Sequence, residues 1–435
     1  MKVVLLFSQV FLDFRIAELK GIIKALNLEF PIDQIDVENH IFVIDIDDVT
    51  TIHKLLSRSM LLKSAYEFFY VEESYDDLLR VLEANKPIFK KYDTADQSFS
   101  MKVRPVGRKR GLETLPAVEK VCECINLELA PVSLNEPDNA FVLLEDYENE
   151  KSKAPRRIFF NKLIGHGQYR LKSDFNLRDR CYIGNTTMDP ELSFIQANIT
   201  GVKNGDLVLD PFVGTGGLIL SAAKFGASVF GTEINYQIAK GLGKSSRQGV
   251  KFLTEKESIA ANFQQYGMSD KLMSIIIADA SQHGVWRDSP MLDGIVSDPP
   301  YGVREKGRKI GKKERKEHWT LPGSEHAVSF PEKQKYSLEA TFTDLCDISA
   351  SVLRIGARVS FWFPVILESY STDCLPYHPA MILVENCEQR LTRKTSRRLL
   401  TYEKVREPKA GEVTTTSENI FEKGTFRDVI FVGNN

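Results

Sequence analysis

The sequence predicts a two-part α/β protein, in which an α+β N-terminal region precedes a mostly parallel sheet flanked by helices. From about Asn185 onward, short apolar runs alternate with helical patterns, as they do in a parallel α/β sheet. Before about Phe160, shorter β-rich runs alternate with amphipathic helices, which is typical of small α+β units. The chain has 435 residues, of which 43% are hydrophobic and 27% charged. It is therefore long enough to bury ordinary cores in about three structural units.

The elements of the N-terminal region follow from local patterns. Residues 3–6, 41–46 and 141–144 are short β-rich runs, and each predicts a strand. Between Leu12 and Leu26, apolar side chains recur every three or four residues, which predicts one face of a helix. A second helix is predicted over residues 75–82.

The later elements build the predicted parallel sheet. A helix is expected to begin at Asp189-Pro190, because an acid suits the N-cap and proline suits the first turn. A helical pattern over 338–352 leads into a strand at 359–363, where Trp362 is expected to be a core residue. The other predicted elements are strands at 207–209, 228–230, 275–278 and 294–297, a helix at 217–225, and a late hairpin at 382–387 and 399–405.

The charge of the chain is unevenly distributed. The formal net charge is −2, yet residues 151–180 hold nine basic and two acidic residues, and residues 301–335 hold ten basic and five acidic. Such local excesses in a near-neutral protein suggest a polyanion contacted at chosen places. Two solvated loops explain the charge alone equally well.

Membrane and metal sites are not expected from this sequence. The apolar run at 3–7 is too short to span a bilayer and lacks the features of a signal peptide. None of the six cysteines forms a CxxC pair, and Cys122-x-Cys124 has no second pair or nearby histidine to complete a zinc site. We therefore expect a cytoplasmic protein with reduced thiols and no structural metal.

Four predicted strands end in acidic residues. The run DPFVGTGG at 210–217 places three glycines in a strand-to-helix turn, where backbone amides can approach a ligand. It lacks the spacing of a dinucleotide fingerprint and the lysine of a P-loop, so Asp210 favours a ligand that bears a cation or amine. Glu233 ends the next strand, where an acid can accept from ribose hydroxyls, and Asp279 ends the third. The run DPPY at 298–301 ends the fourth, and the ordered set predicts one ligand site.

The order of the runs DPFVGTGG, TE, ADA and DPPY resembles the class I S-adenosylmethionine-dependent methyltransferases. DPPY is similar to the motif of enzymes that methylate exocyclic or amide nitrogens. With YIGNTTMD at 182–189, GLGK at 241–244 and SRRLLTY at 396–402, the chain resembles the catalytic subunits of eukaryotic tRNA guanosine-10 N2-methyltransferases. Departures from that pattern are Thr187 and Gly217, where serine is expected, and Glu233 and Asn235, where two aspartates are common.

The resemblance implies a domain organisation and a reaction. A THUMP-like RNA-binding region is expected at 1–150 and a basic linker at 151–185. A Rossmann-like methyltransferase domain with a C-terminal antiparallel hairpin is expected at 186–435. The implied reaction transfers a methyl group from S-adenosylmethionine to the exocyclic N2 amine of a guanosine in tRNA, at the expected position 10. No metal is required for it.

The resemblance also implies roles for individual residues. Asp298 and the carbonyl of Pro299 would each accept an N–H of the amine, Pro300 would help to stiffen the loop, and Tyr301 would stack on an extruded base. The expected cofactor contacts are Asp210, Gly214, Thr215 and Gly216 at the methionine end, Glu233 at the ribose, Asp279 at the adenine, and Thr187 and Met188 at the border.

Partners and alternatives complete the prediction. RNA contacts are expected from Arg156, Arg157, Arg170, Lys172, Arg178 and Arg180, and from Lys312, Lys313, Arg315 and Lys316. The resemblance implies a heterodimer with a small zinc-binding activator subunit that covers an apolar sheet edge, for which residues 228–233 are the suggested strand. Two alternatives stay open. One is amino methylation of DNA adenine or protein glutamine, and the other is a non-catalytic RNA-binding subunit.

Overall fold

The computed structural model divides the chain into two compact units. The first comprises Met1–Arg15 and Leu28–Gln168, and the second comprises Ile16–Asn27 and Tyr169–Asn435. The described residues are 1–36, 39–109, 115–242, 257–287, 289–301, 307–312 and 331–416.

A six-stranded sheet organises the first unit. Its strands are β1 (Lys2–Phe7), β2 (Ile41–Asp45), β3 (Leu62–Glu72), β4 (Phe99–Val106), β5 (Asn139–Asp146) and β6 (Arg157–His166). They lie in the order β2-β1-β3-β6-β5-β4, and only β4 and β5 are parallel neighbours. The strands predicted at 3–6, 41–46 and 141–144 are confirmed as β1, β2 and β5.

The helices described in the N-terminal region are α1 (Phe14–Leu26), α2 (Val49–Leu56), α3 (Tyr75–Ala84) and α4 (Leu115–Ile125). Helix α3 begins after Ser74, whose hydroxyl accepts from the Asp77 amide at 3.1 Å. Such an N-cap satisfies a backbone donor that the helix leaves unpaired. Side chains of α3 and α4, including Leu82 and Val121, pack with Phe141 of β5 in the core of this unit.

A seven-stranded sheet organises the second unit. The strands of this unit are β7 (Leu207–Asp210), β8 (Ser228–Glu233), β9 (Leu272–Ile277), β10 (Leu292–Ser297), β11 (Arg308–Ile310), β12 (Lys333–Lys335), β13 (Leu353–Ile366), β14 (Met381–Arg390) and β15 (Thr395–Lys404). The sheet has the order β14-β15-β13-β10-β7-β8-β9, and β11 and β12 form a separate antiparallel pair, called the hairpin below. Strands β13, β10, β7, β8 and β9 are parallel neighbours, whereas β15 runs antiparallel to β13 and β14. The predicted parallel sheet with a late antiparallel hairpin is confirmed.

The helices of the second unit cover this sheet. They are α5 (Leu171–Asp174), α6 (Pro190–Thr200), α7 (Gly217–Lys224), α8 (Tyr236–Ala239), α9 (Ile259–Gln265) and α10 (Leu338–Val352). As predicted, Asp189 caps α6 by accepting from the Glu191 amide at 2.9 Å. Every residue of α6 is buried. Trp362 of β13 is fully buried, which confirms it as a core residue.

Helix α1 lies near the start of the chain, yet its residues from Ile16 onward belong to the second unit. A Cβ on Gly21 would lie 2.0 Å from the Asn198 carbonyl oxygen, so only glycine lets α1 approach the backbone of α6 this closely. The Glu18 carboxylate accepts from Asn198 Nδ2 at 2.8 Å, and both side chains are fully buried. Lys24 pairs with Glu403 of β15 at 2.7 Å. The second unit thus includes Ile16–Asn27, a segment that precedes the first unit's remaining residues.

Two predictions are wrong in detail. Residues 157–166 fall within the predicted basic linker, but they form β6, an interior strand between β3 and β5. Its basic side chains hide the strand pattern, and Arg157 at its start pairs with Asp146 of β5 at 2.6 Å. Residues 228–233 are the suggested exposed sheet edge, but β8 lies between β7 and β9, so β9 is the edge strand.

Candidate active site

A cavity lies at the carboxyl ends of the parallel strands in the second unit. Its volume is about 530 Å³, and its walls come from the turn after β7, the ends of β8 and β10, and the hairpin β11–β12. Open α/β sheets bind ligands at this edge. The predicted site residues in its walls are Met188, Asp210, Gly214, Thr215, Glu233, Asp298 and Pro300, whereas Thr187, Gly216, Asp279, Pro299 and Tyr301 are not among the lining residues.

The glycine-rich turn between β7 and α7 shapes one wall. Gly214 and Gly216 have φ angles of 51° and 83°, in the left-handed region that L side chains rarely adopt. A Cβ on Gly214 would meet nothing within 4 Å, whereas one on Gly216 would lie 2.9 Å from Ile259 Cγ2. Gly214 therefore keeps space open beside the backbone, and Gly216 allows α9 to pack against the turn.

Asp210 is a buried carboxyl group at the end of β7. Its Oδ1 accepts from the Phe212 amide at 2.9 Å and from Ser297 Oγ at 3.4 Å. Desolvation raises the pKa of Asp210 to about 8, and the charges of Asp298 and Glu233 add to the increase. Asp210, Glu233 and Asp298 all line the cavity, and a bound cation would reduce the repulsion between their carboxylates, so the site favours a ligand that carries a positive charge.

Glu233 connects the end of β8 to two neighbouring backbone segments. Its Oε2 accepts from the Gly214 amide at 3.1 Å, and its Oε1 accepts from the Asn235 amide at 2.7 Å. Asn235 caps α8 by accepting from the Gln237 amide at 3.1 Å. A cap of this kind needs an acceptor oxygen but no charge, so asparagine suffices where the family pattern has an acid.

Asp279 is buried and holds the hairpin β11–β12. Its Oδ1 accepts from the Ser281 amide at 2.9 Å, and its Oδ2 accepts from the Ile310 amide at 2.6 Å. The alanines on either side of Asp279 line the cavity, as do Arg308 and Lys333 of the hairpin. The hairpin therefore forms part of the cavity wall, a role that sequence reasoning missed because its two short strands lack a clear pattern.

Thr187 and Gly217, the two positions where serine is expected, complement each other. Thr187 Oγ1 lies 2.9 Å from Thr215 Oγ1 and accepts from the Gly184 amide at 2.7 Å. A Cβ on Gly217 would lie 3.3 Å from Thr187 Cγ2. The threonine methyl group thus occupies part of the space that a side chain at position 217 would need.

The DPPY run begins directly after β10. Asp298 and Pro300 line the cavity, and the charge of Asp298 is among the causes of the raised pKa of Asp210. The Tyr301 hydroxyl accepts from Arg397 Nη1 at 3.3 Å. Arg397 belongs to the run SRRLLTY, but nothing in that run predicts its contact with Tyr301.

Several of the predicted RNA contacts already have carboxylate partners. Arg156 and Arg157 pair with Asp146 at 2.9 and 2.6 Å, although both remain partly exposed. Lys172 pairs with Glu191 at 2.6 Å. These three cations therefore reinforce the protein's own structure.

Arg180 does not fit the predicted RNA-binding role. It is 2% exposed, and its guanidinium donates to the Phe175 carbonyl at 2.8 Å. It therefore cannot contact the phosphates of an RNA backbone. Arg170, Arg178 and Lys312 are exposed, as an RNA contact requires. The predicted Lys313, Arg315 and Lys316, and the residues Gly243 and Lys244 of the GLGK run, lie outside the described residues.

Three further properties of the molecule bear on its function. Within the part of the chain that the structure describes, no helix has the length and apolarity that crossing a membrane requires. The same residues contain no cluster of three or more His, Cys, Asp or Glu side chains suited to a metal ion. All six cysteines are free thiols.

Comparisons with known proteins place both parts of the chain. Residues 1–169 match the family model of the Tmrp11 THUMP N-terminal domain, and residues 178–317 match that of the RMKL-like methyltransferase domain. The tRNA (guanine(10)-N(2))-methyltransferase TRMT11 of Bos taurus is 36% identical over 415 residues, which cover 93% of this chain and 88% of that protein. The Homo sapiens protein of that name is 35% identical over 416 residues, with 92% and 88% covered. The crystal structure of TrmN from Thermus thermophilus aligns with 17% identity and a TM-score of 0.46, over 93% of this chain and 100% of that one.

Proposed function

This chain belongs to the family of tRNA (guanine(10)-N(2))-methyltransferases, and we propose that it methylates the N2 amine of guanosine 10 in tRNA with S-adenosylmethionine. One observation carries the proposal. Asp298 and Pro300 of the amine-binding run line the same cavity as Asp210 and Glu233. A loop suited to an exocyclic amine therefore lies beside a pocket suited to a cationic nucleoside.

The cavity fits S-adenosylmethionine. The carboxyl groups of Asp210, Glu233 and Asp298 around the cavity favour a cationic group such as the methionine ammonium, and the open space beside Gly214 admits the methionine end. A carboxylate offers about four acceptor sites, so Glu233 can accept from ribose hydroxyls in addition to its backbone partners. Ile238 and the alanines that flank Asp279 supply an apolar wall for the adenine ring. We therefore propose that Asp279 acts mainly by holding the hairpin against this end of the cavity.

The DPPY run would bind and orient the target amine. The N2 nitrogen of guanine is a weak nucleophile because its lone pair is delocalised into the purine. We propose that the Asp298 carboxylate and the Pro299 carbonyl accept its two N–H groups, so that the lone pair turns toward the methyl donor. The cofactor supplies a methyl group already activated on a sulfonium sulfur. The protein then mainly provides alignment, which can contribute ~7–11 kcal/mol, and Asp298 can take the released proton.

Mass spectrometry of nucleosides from tRNA incubated with the purified chain and its activator subunit tests the function. We expect N2-methylguanosine at position 10. Labelled methyl transfer to duplex DNA or to a glutamine peptide, with none to tRNA, would favour the alternative amino methylations. Binding of tRNA without any transfer would favour a non-catalytic subunit.

The assigned chemistry has its own test in Asp298→Ala. This variant should lose at least ~100-fold in kcat, because both orientation and proton acceptance are removed, while S-adenosylmethionine still binds. Asp270→Ala is the matched control, since the Asp270 side chain is 74% exposed in the same unit. A wild-type rate for Asp298→Ala would refute the role given to this carboxylate.

We propose that Arg170, Arg178 and Lys312, which are exposed, contact tRNA phosphates. Each phosphate that a cation neutralises releases counterions, so binding weakens as salt rises. Glutamine at Arg170 and Arg178 should reduce the slope of log K against log[salt] by up to about one unit for each cation replaced. Lys203→Gln, at an exposed position before the amino end of β7 and so at the sheet edge opposite the cavity, provides a control for nonspecific charge effects. Unchanged slopes in the double variant would remove these residues from the RNA interface.

We propose that the small zinc-binding activator subunit pairs with β9. This strand is the edge of the sheet, and Met273, Ile276 and Ile277 on it are 63%, 38% and 43% exposed. An exposed apolar edge strand favours pairing with another chain. Met273→Glu should abolish co-purification of the activator subunit, whereas Ile355→Glu, at an apolar position that is 60% exposed elsewhere, should not. Equal recovery of the subunit with both variants would contradict this interface.

We also propose that the complex acts in the cytoplasm. Fractionation of cells that express the tagged chain tests this location, and recovery only in an organelle or membrane fraction would contradict it.

A further inference from the structure

The guanidinium group of Arg397 is held from four sides. Its Cζ lies 4.2 Å from the centroid of the buried Trp362 ring, and its Nε donates to Gln389 Oε1 at 2.7 Å. Nη1 donates to the Tyr301 hydroxyl at 3.3 Å, and Nη2 donates to Met188 Sδ at 3.4 Å. All three nitrogens are engaged while the ring covers one face of the group. The position and plane of this guanidinium are therefore fixed by its surroundings.

The platform beneath Arg397 is fixed in turn by Gln196 of α6. The Trp362 indole donates to Gln196 Oε1 at 2.8 Å. Gln196 Nε2 donates to the carbonyls of Ser297 and Ser360, at 3.2 and 3.0 Å, and Gln196 is fully buried. Ser297 is the residue directly before Asp298. A continuous set of contacts therefore begins at the residue before the DPPY run and returns, through Arg397, to the last residue of that run.

From this geometry we infer that Arg397 is a positioning residue for methyl transfer, acting through Tyr301. The inference rests on the proposed function, in which the Tyr301 ring stacks on the target guanine. A hydrogen bond to the tyrosine hydroxyl fixes where the ring face lies. Met188, the second partner of Arg397, lines the cofactor cavity. The guanidinium thus sets the distance between the cavity wall and the base-stacking ring.

The neighbouring Arg398, like Arg397, lies over an aromatic ring and donates to a side chain of β14, so these two contacts are not unique to Arg397. Its Cζ lies 4.3 Å from the Tyr370 ring centroid, and its Nη1 donates to Asn386 Oδ1 at 2.9 Å. These partners lie on β14 and in the segment after β13, away from the DPPY run. Arg398 therefore makes the same kinds of contact as Arg397, but with residues outside the DPPY run and the cavity wall. This makes it a suitable control.

The first test compares Arg397→Met with Arg398→Met in the complete complex. Methionine keeps apolar bulk over the aromatic ring but removes every donor. We expect Arg397→Met to lower kcat by ~100-fold, because small misplacements of a reacting group have effects of that size. The KM for tRNA and the affinity for S-adenosylmethionine should change less than about threefold. Arg398→Met should keep the wild-type kcat, and an equal loss in both variants would overturn the inference.

A double-mutant cycle with Tyr301→Phe tests the path through tyrosine. Phenylalanine keeps the stacking ring and removes only the acceptor, so Tyr301→Phe alone should reproduce most of the kcat loss of Arg397→Met. Adding Arg397→Met to Tyr301→Phe should then cause little further loss, since the two act as one unit. Multiplicative losses, or a wild-type kcat for Tyr301→Phe, would overturn the inference.

Arg397→Lys keeps the charge, but a single ammonium group lacks the planar set of donors that a guanidinium offers to Tyr301 and Met188 at the same time. It should remain close to Arg397→Met in kcat, and full activity in the lysine variant would overturn the role. This variant and Tyr301→Phe carry the test if Arg397→Met does not fold. The wild-type complex is assayed alongside them. Absence of methyl transfer there would refute the proposed function itself, whereas normal transfer by every variant refutes only the role of Arg397.

Discussion

Replacement of Asp210 by asparagine should make the cofactor-free protein more stable at neutral and alkaline pH. Burial raises the pKa of this carboxyl group from 3.8 to about 8. About four pKa units at ~1.4 kcal/mol each amount to about 6 kcal/mol, which is the free energy that opposes ionisation of Asp210 in the folded chain. Asparagine keeps an oxygen that can accept from the Phe212 amide but carries no charge. It therefore removes the destabilising term and keeps the hydrogen bond.

The sign of the pH dependence follows from proton linkage. A carboxyl group with a raised pKa binds its proton more tightly in the folded state than in the unfolded state. The destabilising term is therefore absent below pH 3.8, grows as the pH rises toward 8, and is constant above that value. The difference in melting temperature between Asp210→Asn and wild type should grow over the same window. At pH 8 it should reach roughly 10–20 °C, given about 2–4 °C per kcal/mol for a domain of this size.

Thermal unfolding of the two proteins between pH 5 and pH 9 measures this difference, with Asp270→Asn as an exposed control. Addition of S-adenosylmethionine should raise the melting temperature of the wild-type protein much more than that of Asp210→Asn, because the variant offers no anion to the ligand's ammonium group. Equal melting temperatures at pH 8, or a difference that does not vary with pH, would refute the account of Asp210 as a carboxyl group held against its ionisation.

Three further predictions concern packing and the hairpin. Gly217→Ser should lower the melting temperature by a few degrees because its side chain crowds the Thr187 methyl group, and adding Thr187→Ser should restore most of the loss; no recovery would contradict the complementarity. Gly21→Ala should release α1 from the backbone of α6 and make residues 16–26 sensitive to limited proteolysis, and wild-type resistance would contradict their close approach. Asp279→Ala should speed hydrogen exchange at the Ile310 amide and leave exchange in β14 unchanged, and equal protection in the variant would show that Asp279 does not hold the hairpin.

Local signals predict the parts of the fold that depend on local structure. Asp189 and Pro190 predict the start of α6, because a capping acid and a first-turn proline act within one turn of the helix. The ends of β7, β8 and β10 carry motif residues, and parallel strands bring such ends to one edge. The candidate cavity can therefore be anticipated from Asp210, Glu233 and Asp298 alone.

Features that depend on distant parts of the chain do not show in the sequence. The strand β6 is hidden because Arg157 and Lys162 look solvated until Asp146 and Glu67 are seen beside them. The order of strands in a sheet depends on contacts between distant segments and cannot be read from the sequence of a single strand. Sequence patterns alone therefore place the exposed edge at β8, whereas the structure has it at β9. Arg397 gains a role only when Tyr301, 96 residues earlier, is placed within hydrogen-bonding distance.

The docking of α1 has a consequence for how the protein is made. The helix leaves the ribosome before its partners do, because Asn198, which binds Glu18, is 180 residues further along, and Gly356, whose carbonyl accepts from Lys24, is 332 residues further. Leu19 and Ile22 on the apolar face of α1 are buried in the folded protein, but during synthesis the rest of the second unit is not yet present to cover them. We expect nascent chains that carry this segment to engage chaperones until the last strands emerge, because long-range contacts form late and leave apolar surface exposed.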